Sequence, residues 1–355
     1  MTLFRFSKFA LLFIVIVLAQ RDVLARESGP RRPECFSLFG EPLYAPELSP
    51  FANKSASILF DIAKTEFQND ECPSPGDPLK AVWLGRRTAY LNRYNESVDI
   101  FSRAIDLRAE KGLPGFAPLY RFRGHRLLTI RKFEAAVADL QKAFSLLPSI
   151  SLDDDLFEAD GSPNKYNLPV STLITNILYH LGLGLFLLGR WEQAGDVYAQ
   201  LLDLAAQFSK SDLGTDDMFV SSLHWTFMAL QRLGRFSEAS TLLESLPPDP
   251  SIVEDQTYQR LTEMYRGLVD PEQVLKQAEE QGGIAYATMV YGVGSWYFCQ
   301  ERRDEAVSLW KSILESYPDQ WPSFGYIAAE ADLFRLLGKD SDHLKSGSLL
   351  SLISS

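Results

Sequence analysis

A helix-pair pattern recurs along this chain, and it limits the possible folds more than any other feature. One copy reads W-L-G-R-R-T-A-Y-L-N-R-Y-N-E-S-V-D-I-F-S-R-A-I-D-L, from Trp83 to Leu107. A second reads Y-R-F-R-G-H-R-L-L-T-I-R-K-F-E-A-A-V-A-D-L-Q-K-A-F-S-L-L-P, from Tyr120 to Pro148. Each has two stretches of 3–4 apolar spacing separated by a short polar turn. A small residue in the first stretch lets the second helix approach closely. Small residues in the second do the same for the next pair, and aromatics fill the remaining gaps. No such pair buries its apolar face alone, so the pairs must stack.

Aligned on their small residues, the segments give five pairs. The first spans 78–111, with Leu84, Gly85, Tyr94, Ser97, Phe101 and Ala104 as its marks. The second, 117–150, carries Gly124, Phe133, Ala136, Leu140, Ala143 and Pro148. The third, 175–208, carries Leu181, Gly182, Gly189, Trp191, Ala194 and Tyr198. In the fourth, 220–250, Phe227 stands where the others have glycine, which predicts a wider helix separation. The fifth, 287–319, shows Gly294, Tyr297, Ala306, Trp310 and Pro318, and a degenerate pair is expected at 258–280. A closing helix is expected from Phe324 to Leu337, stopped by Gly338 and followed by a flexible tail, 338–355.

These marks resemble the tetratricopeptide repeat (TPR), over roughly 78–337. The spacing departs from the family's 34-residue period, chiefly through an insertion containing Ser151 to Asn164 before the third pair. Segments such as W-L-G-R-R-T-A-Y-L and W-P-S-F-G-Y-I-A-A-E-A-D-L also look like a family of exported TPR proteins without established activity. The fold expected is an all-α, right-handed solenoid of TPR-like pairs with a C-terminal capping helix. The resemblance also implies that the first helix of each pair lines a concave face.

The beginning of the chain reads differently. Arg5 and Lys8 precede an apolar run, Phe9 to Ala19, and V-L-A triplets end at Ala19 and Ala25. That run is shorter than the roughly 20 apolar residues of a spanning helix. A cleaved signal peptide, 1–25, is expected, with an uncleaved anchor as the rival reading. The protein is then secreted or lies in a secretory-pathway lumen, and it meets a membrane only if residues 9–19 are retained. The lead-in, 26–77, is Pro- and Gly-punctuated, with one helix expected around Ser55 to Phe67. Asn53 and Asn95 begin N-x-S sequons and are candidate glycosylation sites in a eukaryotic secretory pathway. Cys35 and Cys72 are candidates for a disulfide in an oxidising compartment. The alternative, which also holds for Cys299 in its apolar helix, is free thiols.

The formal net charge is −11, which argues against a nucleic-acid partner, since phosphate backbones demand a basic stripe. No nucleophile elbow, phosphate loop, dinucleotide fingerprint or metalloprotease motif occurs, so no enzyme and no cofactor is expected. The expected function is a non-catalytic interaction module that holds a protein or peptide partner, or an acidic ligand, in the concave groove. A membrane-tethered scaffold for other proteins is the alternative. The groove candidates are Arg86, Tyr90, Arg121, His125, Asn176, Tyr179, His224 and Trp225, with His180 and Tyr291 on the same strip. Arginine forks onto carboxylates and aromatic rings offer flat apolar contact. The rival reading makes the rings packing residues and pairs the arginines with neighbouring acids. The run Arg121–Arg126 is a candidate anion site between the first two pairs, although only part of it can share one helix face. Three histidines on successive first helices, His125, His180 and His224, are too far apart to bind zinc if those helices sit about 10 Å apart. The acidic stretches 153–155 and 160–162 lack calcium-loop spacing and read as solvated loop.

Overall fold

The computed structural model describes residues 32–68, 77–147, 170–210, 214–254 and 256–337, together with positions 158, 164, 166 and 168. The chain divides into two units, 1–33 and 34–355, and everything below concerns the second. The expected signal segment, the tail and both acidic stretches of the insertion lie outside the described residues.

Helices dominate because the 3–4 apolar spacing is met by clear stop signals. Helix α1, Pro50–Gln68, precedes α2, Pro78–Tyr90, and α3, Tyr94–Glu110. Then come α4, Ala117–Thr129, and α5, Phe133–Ser145, followed by α6, Leu173–Leu187, and α7, Trp191–Ser209. Next are α8, Asp217–Arg232, the short α9, Phe236–Leu243, α10, Gln256–Tyr265, and α11, Pro271–Gln281. The last are α12, Gly283–Cys299, α13, Arg303–Ser316, and α14, Phe324–Leu337. Asp77 caps α2 by accepting from Leu79 N at 3.0 Å, with Pro78 in the first turn. Thr172 and Thr175 form a reciprocal capping box on α6.

Within most pairs one turn is reused. Asn92, Arg131, Gly189, Gly234 and Glu301 all take a positive φ two residues after the first helix ends. Behind each, the chain folds back by two N–H bonds, such as Arg131 N to Leu128 O at 3.1 Å and Lys132 N to Leu127 O at 2.9 Å. This is a Schellman termination, and it sends the next helix back antiparallel. The paired helices then meet at glycine. A Cβ on Gly182 would lie 2.6 Å from the Tyr198 ring, and one on Gly124 2.8 Å from Leu140 Cγ. In the fourth pair Phe227 stands at this position, and its ring stacks on Tyr265 of α10 at 4.2 Å. The array is an all-α solenoid of stacked helix pairs.

Two features of the fold are absent from the repeat pattern. Residues 34–44 form a small antiparallel hairpin, with β1, Cys35–Phe36, paired to β2, Pro42–Leu43. The closing helix α14 also does more than cover the last pair. It packs on α12 and α13 and reaches α6. Glu330 accepts from Arg131 at 2.6 Å, in the turn between α4 and α5, and from Leu38 N at 2.5 Å, in the hairpin. Asp332 accepts from Arg232 at 2.7 Å and from Tyr291 OH at 2.9 Å. Arg335 donates to Leu187 O at 2.6 Å. Just before α14, Trp321 Nε1 donates to Tyr44 O at 2.7 Å, and its ring meets Tyr94 edge-on at 5.4 Å. The C-terminal segment therefore joins the last pair to the middle pairs and to the hairpin.

Cys35 is half-buried in the hairpin, and Cys72, its candidate disulfide partner, lies outside the described residues. Burial in the hairpin pushes the Cys35 thiol up to about 11, and the neighbouring Arg131 only partly offsets this. Asn53 and Asn95 are both exposed. Asn95 sits in the first turn of α3, and its side chain donates to Glu34 O. Ser97, the third residue of that sequon, is buried and donates to Gly85 O at 2.7 Å.

Candidate functional site

A cavity of about 430 Å³ opens between α2, α4, α6 and the start of α8, with Phe324 of α14 and Tyr258 of α10 along its walls. Each first helix contributes the face left over after its glycine side meets its own partner. Arg86 and Tyr90 come from α2, Arg121, His125 and Arg126 from α4, and Asn176, Tyr179 and His180 from α6. Six of the groove candidates thus line one space: Arg86, Tyr90, Arg121, His125, Asn176 and Tyr179.

Their electrostatic situations differ. Arg121 is buried and already neutralised, with Nη2 2.9 Å from Glu158 Oε2. Asn176 Nδ2 donates to the same carboxylate at 2.7 Å and to Ser171 Oγ at 2.7 Å. Arg86 is placed otherwise. Its guanidinium carbon lies 4.5 Å from the Trp83 ring and 4.5 Å from the Phe122 ring. It has no acidic partner among the described residues, and its buried Nε has no acceptor. Arg126 is half-buried with Tyr94 as its aromatic neighbour, and likewise has no acidic partner among the described residues. Burial pushes the Arg126 pKa down to about 10, offset in part by Tyr94 and Tyr90 and reinforced by Arg121 and Arg86. Arg123, in the same run, turns away and pairs with Asp139 at 2.6 Å.

The histidines are neutral side chains. Burial holds His125 and His180 well below the usual imidazole value, and Arg126 and Arg121 add to the effect. His180 Nδ1 lies 2.7 Å from Asn176 O, which assigns the proton to that nitrogen. His125 Nδ1 lies 3.3 Å from Arg121 Nη1, an obligate donor, which makes this nitrogen an acceptor. The two rings are 4.3 Å apart and Phe324 packs on both, at 5.4 and 5.6 Å. This separation corrects the expected spacing of first-helix histidines, because ring-bearing side chains reach across the gap between helix axes. No group of metal-binding side chains occurs among the described residues.

Two groove candidates face elsewhere, as does Tyr291. His224 is 1% exposed and sits against Tyr258 at 4.8 Å and Tyr265 at 5.8 Å. Burial alone pushes its pKa down to about 3. Trp225 is also 1% exposed and packs on Phe186, Tyr198 and Tyr291, while its Nε1 donates to Tyr179 OH at 3.2 Å. Tyr291 spends its hydroxyl on Asp332. These three are interior packing groups, because α10 lies on His224, rings of α6, α7 and α12 enclose Trp225, and α14 meets Tyr291.

Arg126 was legible as part of the cationic run read as a candidate anion site, but other wall residues, among them Glu158, Phe324 and Tyr258, were not. Glu158 belongs to the insertion, and Phe324 and Tyr258 come from elements assigned to capping or degeneracy, so repeat spacing held no sign of them. At the opposite wall Asp217 accepts from Val253 N and Glu254 N, at 3.0 and 2.6 Å, and Glu254 accepts from Asn164 at 3.0 Å.

No helix among the described residues is long and apolar enough to cross a membrane. No protein-family model matches the chain. No curated protein matches it either. Solved structures of repeat proteins do. The chain is similar to YrrB, a TPR protein with an unusual peptide-binding site, at 15% identity and a TM-score of 0.37, over 77% of this chain and 97% of that one. It is also similar to a kinesin-light-chain-type protein of Podosopora anserina with nearly identical TPR-like repeats. There the identity is 14% and the TM-score 0.39, over 76% of this chain and all of the other.

Proposed function

We propose that this chain is a non-catalytic interaction module whose cavity receives a side chain or chain end of a peptide or protein partner. The observation that carries this reading is the wall itself: arginines and aromatic rings from three successive first helices converge on one space. At about 430 Å³ it lies at the small end of ligand pockets. It therefore suits one to three side chains or a compact acidic molecule rather than a long extended segment. The titratable groups present favour binding over turnover. His125 and His180 are neutral and pack on each other and on Phe324, so both rings are engaged as part of the apolar wall. Tyr90 is partly exposed at the wall and marks an approach.

A display selection of random peptides on the full chain, with a photo-crosslinking residue at position 90, tests this. Selected peptides should crosslink there and bind at least tenfold more weakly to Arg86→Ala. A selection that yields no peptide, or peptides indifferent to both position 90 and Arg86, overturns the reading.

A further inference from the structure

Among the described residues, the cavity leaves two positive charges without a carboxylate. Arg121 has Glu158, Arg123 has Asp139, Arg131 has Glu330 and Arg232 has Asp332. In this body a buried or half-buried arginine is often matched by a carboxylate. Arg86 and Arg126 break that habit, both on the wall of one cavity. Their mutual repulsion registers on Arg126, which both Arg86 and Arg121 disfavour in its charged form. Aromatic faces at Trp83, Phe122 and Tyr94 attract the two cations but supply no acceptor for their N–H groups. An unpaired cation withdrawn from water is destabilising, so a fold without use for it gains by replacing it.

We propose that Arg86 and Arg126 form a receptor for a doubly charged anion, a phosphate monoester or a pair of carboxylates, borne on a flat apolar stem. Two guanidinium groups balance two negative charges, and each offers a planar fork of donors to phosphate or carboxylate oxygens. The stem lies among Phe122, Phe324, Tyr179 and the neutral His125 and His180, all on the same wall. Arg121 stays with Glu158 and supports the site without being its anion contact. The proposal rests on the reading of this cavity as the ligand site and narrows it to one chemistry.

The probes are phenyl phosphate, phthalate, and neutral benzamide, each added to the full chain at constant ionic strength while its melting temperature and calorimetric binding are recorded. At least one dianion should bind saturably and raise the melting temperature, with benzamide inert. Whether phenyl phosphate or phthalate binds more tightly separates the phosphate source from the carboxylate source. Arg86→Gln and Arg126→Gln should each weaken binding by tenfold or more, and the surface control Arg190→Gln should not. Without probe, Arg126→Gln should melt no lower than the parent, because a charge held for a ligand stabilises nothing in its absence. Failure of both dianions to bind, or equal binding by the Arg86→Gln/Arg126→Gln double variant, overturns the proposal. If display peptides still crosslink at position 90 but carry no anionic group, the interaction reading stands and this proposal falls. If a dianion binds and no peptide is ever selected, the reverse holds.

Discussion

At the scale of single residues, charge and burial set the behaviour of this molecule. His125, His180 and His224 all have folded-state values below the unfolded imidazole value of about 6.5. The unfolded chain therefore binds more protons in acid, and stability is fully present above that value and drains away as pH falls below it. For His224, pushed down to about 3, the loss by pH 4.5 is on the order of 2–3 kcal/mol. Melting temperature should be flat near neutrality and decline below about pH 6.5, with a smaller decline in His224→Gln. An equal decline in that variant would exclude His224 as a source. The buried pairs on α14 matter through their geometry. Removing one partner strands its mate, so Arg131→Gly should cost about 3–5 kcal/mol in denaturant titration despite relieving a positive φ.

The elements show what was legible and why. Gly182 against Tyr198, and Gly124 against Leu140, are contacts inside one helix pair, so sequence spacing alone displays them. Gly182→Leu should lower stability by about 1–3 kcal/mol or more through overpacking, and an unchanged melting temperature would contradict the close approach described here. Glu301 occupies the same turn position as Gly189 and Gly234 but carries a side chain at φ 63° and stays on the surface. Glu301→Gly should therefore raise stability, by about 1 kcal/mol at most. The candidate site was half legible for the same reason. A 3.6-residue period says which face of α2, α4 or α6 points inward, and it brings Arg86, Arg121 and Tyr179 to one wall. It does not say which later element will lie on that face. Trp225 and His224 looked available because nothing in α8 announces the arrival of Tyr258, Tyr265 and Tyr291.

On the scale of the whole folded body, stability is not a simple sum over neighbouring pairs. In an open solenoid each repeat touches only its neighbours. Here α14 is tied both to the last pair and to groups 199 and 292 residues earlier, Arg131 and Leu38. A chain ending at Ser323 should lose hydrogen-exchange protection in α4 and α6 as well as in α12 and α13. Loss confined to the last pair would mean that the ties of α14 to the middle are energetically empty. Such long-range ties leave no periodic trace, which is why the pattern predicted a cap and the structure has a clasp.

That clasp has a consequence for how the protein is made. Synthesis runs from the N-terminus, so the hairpin, Arg131 and Arg232 leave the ribosome well before Glu330 and Asp332 exist to receive them. Throughout that interval the nascent chain holds Arg131 and Arg232 without their carboxylates, and both are answered together once Glu330 and Asp332 emerge. Products that stop before Glu330 thus carry a visible mark that chains reaching Asp332 conceal.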